Sequence, residues 1–214
     1  LWTKKRKKGD GKFKTKSIAD YKIQGKDISY NNILDVDSGL DFLSEFTEPT
    51  TVIVKHNNAC GVASSTTIKK SYVKAYSSDK KSAFGGVVLV NRKLDKSLAN
   101  LIIKNFFEII VSREFTKSAI QILSKKKRLI LIESKNIPKI KNNIIKTVRL
   151  GSLVQQSSIL KLSKKSFKVV SNNSKLSKKE KEDVMFAFKV AKHTKSNAIV
   201  LAKNKQTLGI GAGQ

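Results

Sequence analysis

Short runs of aliphatic residues constrain the fold of this chain more than any other feature. Four runs are suited to buried strands, at residues 51–54, 87–90, 129–132 and 198–202, and a weaker candidate covers 147–155. Such runs, rich in β-branched residues and bounded by polar ones, are typical of strands that are covered on both faces. We therefore predict a layered α/β/α fold, in which helices lie on both faces of a sheet.

Segments with helical periodicity fill the intervals between these runs. Helices are predicted over 37–46, over a segment that puts Ile68, Tyr72 and Ala75 on one face, and over 95–110 and 116–126. Asp37 and Asp95 are the predicted N-caps of two of them.

A last helix is predicted to begin after Ser177, where Glu180 has the spacing of a capping box. Its predicted buried stripe consists of Val184, Phe188 and Ala191. Along the whole chain we expect a basic segment at 1–20, a first α/β unit at 21–155 and the start of a second unit at 156–214. The polar, lysine-rich stretch 157–175 is typical of a linker.

The net charge of +28 arises from 44 basic and 16 acidic residues. Only five of the basic residues are arginines, the side chain that proteins favour for reading bases and gripping phosphates. Lysine is instead spread along almost the whole chain, so we interpret most of the charge as solvated surface. A lysine-rich module that binds nucleic acid remains an alternative.

The single cysteine, Cys60, excludes an intrachain disulfide and argues against a structural zinc site, so we interpret it as a packed small residue. No run of about 18 apolar residues occurs, and no membrane span is predicted.

A polar cluster follows the first predicted strand. Lys55 and His56, with Asn57 and Asn58 after them, lie where α/β folds often place ligands, and a helix is expected next. An imidazole can accept a proton near neutral pH, and an ammonium can stabilise a developing oxyanion. A polar loop without chemistry would also explain this cluster taken alone.

Three further segments are candidates. Phe84 and Gly85 precede the second predicted strand, where a glycine permits close approach to a ligand and a phenyl ring offers a flat surface to a planar base. Asn197, after Lys192 and His193, could orient an amine or amide, although a capped helix end would also explain that segment. The glycine-rich loop at 209–214 lacks the spacing of a dinucleotide fingerprint.

Several stretches, in this order, resemble one family. They are QGKDISYNN at 24–32, VKHNNACGVA at 54–63, AYSSDKKSAFGGVVLVNRKLD at 75–95, FFEIIVS at 106–112, AIQILSKKK at 119–127, KHTKSNAIVLA at 192–202 and LGIGAGQ at 208–214. Together they are similar to the transformylase domain of the bifunctional purine biosynthesis enzymes. Those enzymes formylate aminoimidazole carboxamide ribonucleotide (AICAR) and also carry an inosine monophosphate (IMP) cyclohydrolase.

The resemblance implies roles for individual residues. His56 would be the general base that removes a proton from the amine of AICAR, and Lys55 would stabilise the formyl oxygen. Asn197, Gly85 and Glu108 would contact the nucleotide, and Phe84 would line its pocket. The formyl donor would be 10-formyltetrahydrofolate.

The resemblance also implies a setting for the reaction. It implies two cytidine-deaminase-like α/β/α units without zinc, no catalytic metal, and a structural monovalent cation that the family can hold. It implies a cytosolic homodimer with shared active sites, and neither a specific nucleic acid nor a membrane as partner.

The sequence departs from the family pattern in places. Ala59 stands where a proline is usual, Ser112-Arg113 replaces Ala-Pro, and Asp79-Lys80 replaces Asp-Pro. An inactive homologue is therefore a further alternative. Because the cyclohydrolase domain and an arginine expected after Gln214 are missing, we expect the chain to be a fragment that is inactive in isolation.

Overall fold

A computed structural model describes residues 18–135, 143–156, 169–170 and 176–213. The predicted basic segment before residue 18, nearly all of the predicted linker at 157–175, and Gln214 lie outside these residues. In the described part of the chain, no helix is both long and apolar enough to cross a membrane.

An eight-stranded sheet forms the centre of the structure. Its strands are β1 (Lys22–Gln24), β2 (Thr50–Lys55), β3 (Asn58–Ser64), β4 (Val87–Val90), β5 (Ile109–Ser112), β6 (Ile130–Glu133), β9 (Ile199–Lys203) and β10 (Gln206–Gly211). Their order in the sheet is β1-β6-β5-β4-β2-β3-β10-β9. Only β4, β5 and β6 run parallel to one another, and the other neighbouring pairs are antiparallel.

Helices cover both faces of this sheet. They are α1 (Tyr30–Ser44), α2 (Ile68–Ser78), α3 (Lys80–Ala83), α4 (Lys96–Ile102), α5 (Lys117–Leu123) and α6 (Lys178–Ala191), with a 3₁₀ turn at Ile18–Tyr21. Residues of α2, α4 and α5 pack on one face around Ile53, Val88 and Ile110. Residues of α1 and α6 pack on the other around Val52, Leu89 and Ile109. The predicted α/β layers are confirmed; the cytidine-deaminase-like units remain a prediction.

The strands at the centre follow from the sequence. Val52, Ile53 and Val54 have no exposed surface, because alternate side chains of β2 enter the two cores. The predicted buried runs at 87–90 and 129–132 correspond to β4 and β6. The run at 198–202 forms β9, but its predicted burial is wrong, because β9 is an edge strand in which Ile199 and Leu201 are 70% and 62% exposed. Both sides of the predicted unit boundary near residue 155 contribute strands to this one sheet, and the division into units remains a prediction.

Other strand predictions need correction. Residues 147–155 are not one buried strand but part of an exposed hairpin, β7 (Asn143–Val148) and β8 (Gly151–Gln156). Strands β3 and β10 were not predicted, and β10 includes the first half of the glycine-rich segment at 209–214, which was expected to be a loop. Their glycines and polar residues disfavour strands locally, but pairing with neighbours on both sides outweighs that preference.

Helix ends also differ from the predictions. Helix α1 begins at Tyr30, because Ser29 and Asn32 form a reciprocal capping box, so Asp37 lies inside the helix. The helix predicted over 95–110 ends at Ile102, since residues 109 and 110 pair with β4 and β6 instead. In α6 the capping box of Ser177 and Glu180 is confirmed, but the buried residues are Phe186 and Val190.

Candidate functional site

The first candidate segment forms a tight turn rather than a loop before a helix. His56 and Asn57 connect β2 to β3 with φ angles of 55° and 62°, as in a two-residue type I′ hairpin turn. The side chain of His56 is exposed to solvent at the tip. The backbone N–H of Asn57 donates to Asp35 Oδ1 (2.7 Å), and Ser38 Oγ donates to Asn57 O (3.0 Å). Helix α1 thus holds this turn in place.

Lys55 connects the turn to the second candidate segment. Its Nζ donates to the backbone oxygen of Phe84 at 2.7 Å. Gly86 allows this approach, because a Cβ atom there would lie 2.8 Å from Val54 O and 3.1 Å from Ala83 O. Phe84 is 62% exposed, and its ring packs on that of Phe106 with centroids 5.1 Å apart, leaving a flat surface beside the lysine.

Gly85 and Glu108 lie next along the sheet. Gly85 has a φ of 73°, which favours glycine, and its N–H donates to Phe106 O at 2.9 Å. Glu108 donates its N–H to Gly86 O at 3.0 Å, and its carboxylate forms an ion pair with Lys26. The two predicted nucleotide contacts are therefore linked through the backbone of Gly86.

A cleft beside Glu108 was not predicted. It has a volume of about 580 Å³ and is lined by Lys26, Phe106, Glu108 and the basic run 125–128. Five basic residues and one acidic residue line the cleft, and this excess of positive charge favours an anionic ligand. The run of basic residues at 125–128 was visible in the sequence, but only the structure places it beside Phe106 and Glu108.

The segment that carries Asn197 contacts the β2–β3 hairpin through Lys195. Lys195 N donates to Asn58 Oδ1 at 3.4 Å, and Gly213 N donates to Lys195 O at 2.9 Å. Gly213 packs directly on this segment, because a Cβ atom there would lie 2.3 Å from Asn197 N. Asn197 itself is exposed, just before β9.

These segments share one end of the sheet, which we call the site edge: the His56–Asn57 turn, residues 84–86, Glu108 and residues 195–197. Val54 lies opposite Val87, and Val87 opposite Ile109, so β2 ends where β4 and β5 begin. The sequence predicted ligand residues at the carboxyl end of a strand. This holds for β2, but the site edge is the amino end of β4, β5 and β6, because β2 is antiparallel to β4.

The second Lys-His pair has a different environment. Lys192 Nζ and His193 Nε2 lie 2.7 Å and 2.9 Å from Glu45 Oε1, and the three side chains are only 12–16% exposed. Burial by itself raises the pKa of the Glu45 carboxyl, but hydrogen bonds from His193 and Lys192 outweigh it and lower the pKa to about 2. The partner of this pair, Glu45, was not predicted.

Cys60 is half-buried, and burial raises the pKa of its thiol to about 11. The thiol therefore stays protonated near neutral pH, which fits a packed residue and not a nucleophile. No group of three or more His, Cys, Asp or Glu residues suited to a metal ion occurs among the described residues.

Comparisons with known proteins agree in pointing to one family. A family model described as "AICARFT/IMPCHase bienzyme" matches residues 5–214. A bifunctional purine biosynthesis protein PurH of Caldicellulosiruptor bescii is 49% identical over 193 residues, which are 90% of this chain and 37% of that protein.

PurH proteins of Acetivibrio thermocellus and Buchnera aphidicola are each 45% identical and again cover 90% of the chain. The chain therefore spans a little more than a third of the length of these relatives.

Proposed function

Because the chain belongs to the AICARFT/IMPCHase bienzyme family, we propose that it carries catalytic residues for formyl transfer from 10-formyltetrahydrofolate to AICAR, a reaction of IMP biosynthesis. One observation carries the proposal. The Lys55–His56 pair lies at the same edge of the sheet as Phe84, Gly85, Glu108 and the Asn197 segment, with Lys55 in direct contact with Phe84.

In the proposed reaction the exocyclic amine of AICAR attacks the formyl carbon. A new C–N bond forms, and the bond between the formyl carbon and N10 of the folate breaks. His56 accepts the proton that the amine loses and returns a proton to N10 as tetrahydrofolate leaves. The exposed position of His56 at the tip of a hairpin gives its ring access to such a substrate.

Lys55 would stabilise the oxyanion of the tetrahedral intermediate. An ammonium has three N–H donors, and Phe84 O is the one acceptor of Lys55 among the described residues, so donors remain for the formyl oxygen. Asn197 would orient the amine and carboxamide of AICAR, since its amide offers both donors and an acceptor.

The nucleotide would extend along the site edge. The exposed ring of Phe84 offers a surface for the imidazole, and the backbone around Gly85 and Glu108 offers polar contacts. The cationic cleft next to Glu108 has the charge to hold the phosphate of AICAR.

The setting of the reaction is also proposed from the family. The complete protein would be a cytosolic homodimer with shared active sites and a structural monovalent cation, and its remaining length would include the IMP cyclohydrolase. The 214 residues by themselves would not catalyse the transfer, because they span only 37% of the C. bescii relative.

A domain exchange tests the proposal. The matching segment of the C. bescii relative is replaced by this chain, and formyl transfer is followed by the release of tetrahydrofolate. We expect transfer by the hybrid and none by the 214 residues alone.

A hybrid that folds and binds AICAR but transfers no formyl group would contradict the proposal and favour an inactive homologue. Steeply salt-dependent DNA binding by the folded chain would favour the nucleic-acid alternative.

A further inference from the structure

Helix α1 contacts both segments that carry the proposed catalytic and orienting residues. Towards its amino end, Asp35 Oδ1 accepts the N–H of Asn57 and Ser38 Oγ donates to Asn57 O. The side-chain amide of Asn57, with its nitrogen turned towards oxygen atoms, also donates to Asp35 Oδ1 (3.1 Å) and Leu34 O (3.2 Å). Four hydrogen bonds therefore hold the residue next to His56 against α1.

The carboxyl end of α1 holds the second segment. Glu45, its C-cap residue, binds Lys192 and His193 through its carboxylate and Lys189 Nζ through its backbone oxygen (2.9 Å). Helix α1 has no basic residue in its own last turn. Helix α6 and the residues just after it supply the cations that the negative end of the helix dipole favours.

The helix between these two ends is firmly seated. Val36, Phe42 and Leu43 are at most 2% exposed in the core beneath it. At Gly39 the helix backbone lies so close to Leu89 that an added Cβ would be 2.2 Å from Leu89 Cδ1. Asp35 and Glu45 are ten positions apart, which corresponds to about 15 Å along an α-helix. Because these contacts fix α1 on the sheet, the helix holds the segments at its two ends in a fixed relation to each other.

The turn that α1 supports contains two residues in the left-handed αL conformation. His56 and Asn57 both have positive φ angles, which cost energy for residues other than glycine and persist only where their surroundings hold them. Asp35 and Ser38 provide this restraint on one side of the hairpin. Glu45 restrains the residues that lead into Asn197, since His193 and Lys195 are separated only by Thr194, whose hydroxyl donates to Val190 O at 3.0 Å.

We propose that α1 is the positioning element of the site edge, with Asp35 and Glu45 as positioning residues that together set the placement of His56 relative to Asn197. The roles of His56 and Asn197 rest on the proposed function, but the mechanical link does not.

Amide hydrogen exchange in the 214-residue chain tests the link without any substrate. Asp35→Ala removes a charged acceptor, so exchange at Asn57 should accelerate about 10- to 100-fold. Asp35→Asn keeps an oxygen acceptor and should recover most of the protection. The matched control is Asp95→Ala, because Asp95 Oδ1 accepts the N–H of Leu98 at 2.8 Å in another part of the fold. It should accelerate exchange at Leu98 and leave Asn57 unchanged.

Kinetics in the hybrid with the C. bescii relative then separate positioning from general support of the fold. Asp35→Ala should lower kcat at least tenfold with little change in the KM for AICAR, and Asp35→Asn should restore most of kcat. Ser38→Ala, which removes one hydroxyl, is the milder variant if Asp35→Ala fails to fold.

Unchanged exchange at Asn57 in Asp35→Ala, or in Ser38→Ala where only that variant folds, would overturn the proposal, as would an unchanged kcat. If the unmodified hybrid transfers no formyl group, the proposed function fails, while the exchange experiment still decides whether α1 holds the turn.

Discussion

The chain contains two histidines, and each follows a lysine, but the two Lys-His pairs have opposite surroundings. His56 lies exposed at a hairpin tip, and the ammonium of Lys55 makes one hydrogen bond among the described residues, to the backbone oxygen of Phe84. His193 and Lys192 are largely buried and share the carboxylate of Glu45. The ring centroids of His193 and Phe42 are 5.5 Å apart. The same dipeptide is thus accessible to a substrate in one place and part of an ion cluster in the other.

The surroundings of each Lys-His pair, and not the residue types, therefore determine its role. A histidine that is to exchange protons with a ligand needs access, whereas the histidine paired with the buried Glu45 carboxylate stabilises the fold and helps to hold the segment that leads to Asn197. Four predictions test this division, from the largest expected effect to the smallest.

The two histidines should differ most in turnover. In the hybrid enzyme, His56→Ala should lower kcat by about 10²–10⁴-fold, the usual contribution of a general base, with a modest loss of AICAR affinity. His193→Ala should lower kcat much less while lowering the melting temperature. Equal losses of kcat, measured where both variants are folded, would mean that the division of roles is wrong.

Glu45 should matter to stability far more than a neighbouring glutamate. Glu45→Ala leaves the largely buried side chains of Lys192 and His193 without their shared carboxylate, so the free energy of unfolding should fall by about 3 kcal/mol. Glu48→Ala is the control, because Glu48 pairs with Lys205 at a side chain that is half exposed. Its cost should be about 1 kcal/mol or less. Urea unfolding of the 214-residue chain measures both, and similar losses would contradict the prediction.

The Glu45 cluster should also give the chain a specific acid sensitivity. The pKa of this carboxyl falls from 4.5 to about 2 on folding, so its stabilisation is complete above about pH 5 and is lost as the pH falls towards 2. Relative to Glu45→Gln, the unmodified chain should lose about 2–3 kcal/mol of unfolding free energy between pH 5 and pH 2. Parallel stability curves for the two proteins would show that the cluster does not lower this pKa.

The smallest expected difference is between the stability costs of replacing Lys192 and Lys55. Lys192→Ala removes a charged hydrogen bond from a side chain that is 12% exposed, and should cost about 1–2 kcal/mol. Lys55→Ala removes one hydrogen bond at the open site edge and should cost about 0.5–1 kcal/mol. Thermal unfolding distinguishes them, and a larger loss for Lys55→Ala would show that its contact with Phe84 O is structural.

Local sequence was enough to predict several parts of the fold. The β-branched runs predicted β2 and β4, because such residues have no favourable place except between two layers. The capping box at Ser177 and Glu180 was predictable, since both partners lie within one turn. The cap of α1 was misassigned to Asp37, because the true box ends in Asn32 and precedes the first clear apolar stripe.

Strands β3 and β10 were not predictable in the same way. Their stability depends on neighbours that are distant in sequence, as when the Thr207 hydroxyl accepts the N–H of Val62 at 3.0 Å. Their glycine and polar residues have a low intrinsic preference for strands. These segments become strands because the assembled sheet provides hydrogen-bonding neighbours.

The candidate site shows the same limit. Lys55, His56 and Asn197 were identified from the sequence as candidate residues near strand ends, and the structure brings their segments to one edge. The sequence did not reveal that β2 turns back into β3 as a hairpin or that it runs antiparallel to β4. This arrangement places the site edge at the amino ends of β4, β5 and β6.

The sequence by itself determined the strands at the centre of the sheet and which residues have suitable chemistry, because hydrophobic patterning and side-chain type are local properties. Only the tertiary structure decided which Lys-His pair stays accessible. His193 meets Glu45 across 148 positions of the chain, and a contact over such a separation depends on how the helices pack, which no short stretch of residues specifies.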